Sequence, residues 1–201
     1  MPIINRFQDG DAEIALWKIN ESVEDLRSFL LPDEITVDIQ HPDRLKQWMA
    51  CRCAVQELVG SGVQITKDEY GKPHLSNGQW VSISHTESYA AAIIGPKPVG
   101  IDIERITNRI ERIAHRFIHP AEAQRLAEEA SAKLRDQYII WCAKEAAYKL
   151  YGKKAVDFRD DIRIEWLGRT VTVTQLKDYP CPLKGALDDL DNHLVVWLVE
   201  G

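Results

Sequence analysis

Residues 136–152 read DQYIIWCAKEAAYKLYG, and residues 44–60 read RLKQWMACRCAVQELVG. The two stretches predict helices of similar length, each closing in Leu-x-Gly and each followed by strand-like sequence. A His-Pro pair precedes both, His41-Pro42 and His119-Pro120. This succession suggests an internal duplication of roughly 90 residues, with residues 1–98 and 99–201 as its halves. The expected fold is α+β: two pseudo-symmetric α/β halves, each a helix plus an antiparallel sheet. A cleft, and with it an active site, is expected at their interface, since such junctions favour ligand pockets.

Working outward from the first helix, Pro42 to Leu58 with Gly60 as its C′ residue, residues 11–19 read as a strand. Asn20 or Ser22 is placed to cap a short helix through Leu30, with Pro32 as its stop. Strands near Val63–Thr66 and Trp80–His85 flank a glycine turn that holds EYGKPHL. Then YAAAIIG, GPKP and VGIDIERI read as strand, turn and strand. A helix is expected from Thr107 to Phe117, another opening after His119-Pro120, and the long one ending at Leu150 before Gly152. IRIEWL, TVTVTQL and HLVVWLV complete the chain as strands.

At 201 residues, 45% apolar and 28% charged, the chain is long enough to bury a core and too apolar for disorder. Twenty-five basic residues against 31 acidic ones, a net charge of −6, supply no overall basic field for nucleic acid or membrane. No run of apolar residues is long enough to span a bilayer. Cys51, Cys53, Cys142 and Cys181 form no CxxC pair or zinc spacing, and MPIINRFQDG carries no apolar signal segment. The expectation is reduced thiols in a cytoplasmic protein, for which a monomer suffices.

In VGIDIE the apolar Val99, Ile101 and Ile103 share one strand face, leaving Asp102 and Glu104 side by side on the other. The pair is either a solvated face or, because like charges repel without a cation, a ligand pair for Mg²⁺. In the long helix, Leu134, Tyr138, Trp141 and Cys142 define an apolar stripe that Glu145 and Lys149 continue. A surface i,i+4 ion pair is the plain alternative, worth about 0.3–0.5 kcal/mol; a position on the inward stripe favours a metal and an anionic substrate as partners. Lys144 lies about 100° round the helix from Glu145, within reach of a phosphate from the rim.

His85 ends WVSISH on the face of Val81 and Ile83, opposite Ser82 and Ser84. It is either a core histidine or, next to the polar turn Thr86-Glu87-Ser88, a ligand at a strand end. Lys72 stands between Gly71 and Pro73 in a stiff turn, and Arg52 among Trp48, Met49, Val55 and Leu58. Arg105, Arg109, Arg112 and Arg116 recur at helical spacing, with Ile106, Ile110, Ile113 and Phe117 one residue on. That basic stripe is either a solvated face or a dock for an acidic partner.

Taken in order, GKP, SISHTESYAAAIIG, VGIDIE, RFIHPAE and WCAKEAAYK resemble the ordered motifs of the 4'-phosphopantetheinyl transferase superfamily. The match spans residues 71–152 and is closer to the larger, surfactin-synthetase-activating class, with two halves in one chain, than to the short trimeric synthases. Thr86 replaces the last serine of the family's S-x-S-H-S pattern and keeps a hydroxyl.

The resemblance implies transfer of the 4'-phosphopantetheine group from coenzyme A to a serine of an apo acyl or peptidyl carrier protein. It implies Mg²⁺ on Asp102, Glu104 and Glu145, with Lys149 stabilising the departing phosphate. Either Glu145 or a hydroxide on the metal takes the serine proton. Lys72, His85 and Arg52 match residues that contact the nucleotide phosphates, and Lys144 belongs to the same lysine-glutamate motif. The alternatives are a silent coenzyme A or carrier-protein binding module, and a phosphodiesterase with water as nucleophile.

Overall fold

The computed structural model describes residues 3–30 and 38–201, which divide into two units, Met1–Lys97 and Pro98–Gly201. The first opens with an antiparallel hairpin, β1 (Ile3–Asp9) and β2 (Ala12–Lys18). Gly10 turns it at a φ of 58°, a conformation that costs an L side chain strain. Ser22 caps α1 (Val23–Phe29) through a capping box with Asp25; Pro32, expected as its stop, lies outside the described residues. In α2 (Pro42–Val59), Pro42 occupies the first turn, where its missing N–H costs nothing, and Gly60 ends the helix at a φ of 78°. The short pair β3 (Ile65–Lys67) and β4 (Pro73–Leu75) precedes β5 (Trp80–His85) and β6 (Tyr89–Gly95).

The main sheet of this unit has the order β1-β2-β6-β5, antiparallel throughout. All seven residues of β6 are buried. Its Ala90 and Ala92 belong to the same apolar cluster as Ala50 and Ala54 of α2, so small side chains let the helix lie close to the sheet.

The second unit begins with β7 (Val99–Arg105). Next come a 3₁₀ turn (Asn108–Arg112) and two single-turn helices, α3 (Ala114–Phe117) and α4 (Pro120–Ala123). The long α5 (Ala130–Tyr151) follows, capped by Gly152 in the left-handed conformation. The chain ends with β8 (Ile162–Leu167), β9 (Thr170–Leu176), β10 (Leu183–Leu190) and β11 (His193–Val199). The strands form one antiparallel sheet ordered β7-β11-β10-β9-β8. The fold is α+β, and among the described residues no helix is long and apolar enough to cross a membrane.

One sequence expectation changes, and one of two alternatives is set aside. The helix expected from Thr107 to Phe117 is instead a 3₁₀ turn followed by α3: Ile106 N–H donates to Asn192 O at 2.9 Å, prolonging the strand, and the Thr107 carbonyl, which a helix would bond four residues on, accepts from the Tyr138 hydroxyl at 3.1 Å. Arg105 therefore ends a strand, and the four arginines, all exposed, do not share one helix. Asp102 and Glu104 are also not on a solvated face. They share their face of β7 with Gly100, and that face meets α5. The alternate residues Val99, Ile101 and Ile103 are buried as well.

Gly100 sets how closely helix and strand approach. A Cβ there would lie 2.0 Å from the Ala146 carbonyl oxygen and 3.1 Å from Leu150 Cβ. Backbone, not a flexible side-chain end, stands in the way. On the same helix Lys144 is fully buried and donates three hydrogen bonds, to Phe117 O at 2.7 Å, Glu122 Oε2 at 2.7 Å and Phe158 O at 2.8 Å. Glu122 completes the network by accepting from His119 N–H at 2.8 Å and Ile164 N–H at 2.9 Å. Burial pushes the Lys144 ammonium down from its ordinary range, and the Glu122 carboxylate holds it up.

Two stability predictions follow from these contacts. Gly100→Ala forces the helix off the strand and lowers unfolding free energy in urea by about 1–3 kcal/mol or more; an unchanged midpoint would mean that the approach relaxes freely. Lys144→Ala, which strands the Glu122 carboxylate, costs about 3–5 kcal/mol, and the double variant Lys144→Met/Glu122→Leu costs less than that. A double variant worse than either single one would show that the charges, not their shapes, hold the segment.

Candidate functional site

Strand β7 presents Asp102 and Glu104 to α5, and α5 presents Glu145 and Lys149, one helical turn apart, beside the carbonyl of Ala146 that abuts Gly100. Lys149 Nζ donates to Asp102 Oδ1 at 2.7 Å and to the Ile101 carbonyl at 3.1 Å. Asp102 is 3% exposed, whereas the Lys149 side chain is 27% exposed. The lysine is thus an inward, cross-element partner of the aspartate, and not merely the helix-surface partner of Glu145.

Glu104 accepts a hydrogen bond from Trp141 Nε1 at 3.3 Å. Burial, then the charge of Asp102, pushes Glu104 up to about 7, while the Trp141 hydrogen bond and Lys149 oppose the rise. Burial, then Asp102, likewise pushes Glu145 up to about 7 against Lys149. Burial, then Asp102 and Glu104, pushes the Cys142 thiol up, so it stays protonated and is no nucleophile. One ammonium faces three carboxylates in a poorly solvated place, which leaves that place short of positive charge. Among the described residues, no group of three or more His, Cys, Asp or Glu side chains is arranged to hold a metal ion.

The first unit contains a different arrangement. A cleft of about 330 Å³ is lined by Arg44, Trp48 and Arg52 of α2, by Lys67, and by Ile83 and His85 of β5. The Arg52 guanidinium lies 3.3 Å from the centroid of the Trp48 ring, a cation–π contact that fixes its plane. His85 is exposed at the strand end, so it is not a core histidine; buried Ser82 and Ser84 occupy the opposite face. The neighbouring turn is stiffened by Thr86, whose Oγ1 accepts from Ser88 N–H at 3.3 Å and Tyr89 N–H at 3.2 Å.

Lys72, in the turn between β3 and β4, does not itself line this cleft, but its neighbour Pro73 pairs with Lys67, which does. Asp68 shapes its turn by accepting from Tyr70 N–H and Lys72 N–H, both at 2.9 Å. The Lys72 ammonium lies 5.0 Å from the Trp80 ring centroid, and burial pushes it below the usual lysine range.

The structure therefore brings Asp102, Glu104, Glu145 and Lys149 together in one unit, and Arg52 and His85 together in the other. Lys144 is a correction: expected at the rim, it is enclosed in the core with its three donors occupied. Sequence reasoning passed over Arg44 and Lys67. Arg44, Trp48 and Arg52 stand four residues apart on α2, a spacing that marks a single helix face. It also passed over Glu122, third residue after His119 in a capping box, and Trp141 as a donor to Glu104.

Two family models match the chain. A family model described as the 4'-phosphopantetheinyl transferase superfamily matches residues 98–195, and one described as the 4'-phosphopantetheinyl transferase N-terminal domain matches residues 33–95. The chain is 33% identical over 100 residues to 4'-phosphopantetheinyl transferase gsp of Aneurinibacillus migulanus, covering 49% of this chain and 42% of that protein. It is 30% identical over 138 residues to 4'-phosphopantetheinyl transferase Npt of Nocardia iowensis, covering 65% and 62%. With 4'-phosphopantetheinyl transferase Sfp of Bacillus subtilis (strain 168) it shares 30% identity over 100 residues, covering 48% and 45%. The matched region spans about half the length of the first of these relatives and no more than 62% of any of the three. With both models falling in order along one chain, and with the acidic cluster of β7 and α5 inside the first of them, the chain belongs to the 4'-phosphopantetheinyl transferase superfamily.

Proposed function

We propose that the protein transfers the 4'-phosphopantetheine group of coenzyme A to a serine hydroxyl of an apo carrier protein and releases adenosine 3',5'-bisphosphate. The observation that carries this reading is the cluster of Asp102, Glu104 and Glu145 held against Lys149, with Lys149 Nζ 2.7 Å from Asp102. In the reaction the serine oxygen bonds to the β-phosphorus, the bond from that phosphorus to the bridging oxygen breaks, and the bisphosphate leaves with the electron pair. Phosphoryl transfer of this kind depends mainly on positioning and charge neutralisation.

Carboxylate oxygens are the donors that Mg²⁺, a hard cation, takes. Asp102, Glu104 and Glu145 would hold it, and the crowding of buried carboxylates that pushes Glu104 and Glu145 up to about 7 supports that reading. When bound, the ion supplies charge neutralisation to the phosphates. Glu145 takes the proton of the attacking serine. Lys149 spends two of its three N–H bonds on Asp102 and Ile101 and, being partly exposed, turns the third to the departing phosphate. In the first unit, Arg52 and His85, joined by Arg44 and Lys67, and Lys72 on its turn, bind the phosphates of the nucleotide; Trp48 and its stacked arginine suit the aromatic part of such a ligand.

Exposed Arg105, Arg109, Arg112 and Arg116 give an acidic carrier protein a place to dock on an acidic chain. The cytoplasm suits the four free cysteines.

The decisive assay is intact mass of an apo acyl carrier protein after incubation with the protein, coenzyme A and Mg²⁺. The expected result is a gain of one phosphopantetheine group, abolished by EDTA and by Asp102→Ala in a variant with native circular dichroism. Coenzyme A binding without any gain, across several carrier proteins, would establish a silent binding module instead; loss of coenzyme A without a modified carrier would establish a phosphodiesterase. Arg109→Glu/Arg112→Glu is expected to raise KM for the carrier protein at least tenfold, corresponding to about 1.4 kcal/mol, with KM for coenzyme A unchanged. Equal effects on both would move the arginines to the nucleotide.

A further inference from the structure

The buried Lys144–Glu122 network lies outside the proposed chemistry, yet its partners lead back to it. Lys144 donates to the carbonyls of two aromatic residues, Phe117 at 2.7 Å and Phe158 at 2.8 Å. The rings of those two residues both lie against Trp141, at centroid distances of 5.0 Å and 5.6 Å. Trp141 stands three residues before Lys144 on α5, and its indole N–H donates to Glu104 at 3.3 Å. A fully enclosed ion pair is costly to keep in a core, and aliphatic side chains of like volume in place of both partners serve stability as well or better. Its geometry here does something an aliphatic chain cannot do: it fixes two backbone carbonyls, and with them two rings, around one indole.

We propose that Lys144 and Glu122 are positioning residues: by holding Phe117 and Phe158 about Trp141, they set the direction of the indole N–H and through it the orientation of the Glu104 carboxylate. This rests on the reading of Glu104 as a ligand of the divalent ion. Carboxylates that bind metals are oriented by their own hydrogen-bond partners, and removing such a partner typically weakens metal affinity by about 10–100-fold. Glu122 acts at one further remove. It anchors the ammonium and ties it to the backbone of His119 and Ile164, so the clamp cannot slide along the helix.

The test uses the full chain with ¹⁵N-labelled tryptophan indoles, the Trp141 signal being assigned as the one missing from Trp141→Phe. In the metal-free protein, Glu104→Gln is expected to move that signal, and Lys144→Met to move it too, although Lys144 touches neither group. A Trp141 signal unmoved in folded Lys144→Met would overturn the relay. If Lys144→Met does not fold, Phe158→Leu removes one jaw of the clamp at a half-buried position, and the same shift is expected of it; an unmoved signal there overturns the proposal equally.

The second readout is Mn²⁺ affinity by electron paramagnetic resonance. Trp141→Phe and Lys144→Met are each expected to weaken it by about tenfold or more, with the double variant no weaker than the worse single one, because both act through the same hydrogen bond. Additive losses, or a lower melting temperature with Mn²⁺ affinity unchanged, would reduce Lys144 to a structural role. Absence of Mn²⁺ binding by the native protein would remove the metal reading of Glu104, while the indole signal would still decide the relay.

Discussion

A missing side chain governs the second unit. At Gly100 the backbone of β7 approaches the Ala146 carbonyl so closely that a methyl group has no room. That closeness decides what the flanking residues meet. Asp102 and Glu104 follow Gly100 at alternate positions and so meet the same helix, and Glu145 and Lys149 flank the point of approach on α5. A lysine of ordinary length then crosses from helix to strand to bond both a side chain and a backbone carbonyl. Were the helix held further away, as a larger residue at position 100 requires, the same charges would stand in water as unconnected surface groups.

Charges in this unit are buried in two contrasting ways. Lys144 and Glu122 form a closed set in which the ammonium's three donors and both carboxylate oxygens have partners, which is the condition under which buried charge is tolerable. The cluster on β7 and α5 is open: its carboxylates outnumber its ammonium, and burial, then Asp102, pushes Glu104 and Glu145 up to about 7. A closed set specifies structure. An open one has capacity left for a ligand, and it is the open one that includes a partly exposed lysine.

Much of this was legible in the chain. Period-2 and helical spacing located α2, α5 and most strands, because their apolar faces are long and their ends carry proline or glycine. The acidic cluster could be named from VGIDIE and the stripe of α5, since those charges interrupt apolar patterns. Other features depended on tertiary contacts. The Thr107–Phe117 segment has helical spacing, but the Tyr138 hydroxyl, distant in sequence, bonds its first carbonyl. The direction in which Asp102 and Glu104 point required knowing that Gly100 faces a helix. β1 and β10 escaped notice because IINRFQD and LKGALDDL mix charge into weak alternation, and the three-residue β4 was read as part of the glycine turn. Lys144 was misplaced because a lysine next to a site glutamate reads as a surface cation, and only the distant carbonyls of Phe117 and Phe158 reveal an interior one.

The enclosed ammonium also has a bearing on how the unit assembles. Its acceptors come from residues 117, 122 and 158, and Glu122 in turn depends on residue 164, so no local stretch of chain can satisfy it. Until β8 arrives, Lys144 is better solvated by water than by protein, and the α5 face that carries it stays open. The single-turn helices, α5 and β8 are therefore joined through one buried ammonium and its partner carboxylate. A nascent chain ending before residue 158 would hold the helix yet lack two of the acceptors and backbone anchors that enclose Lys144, which ties the order of synthesis to the order of burial.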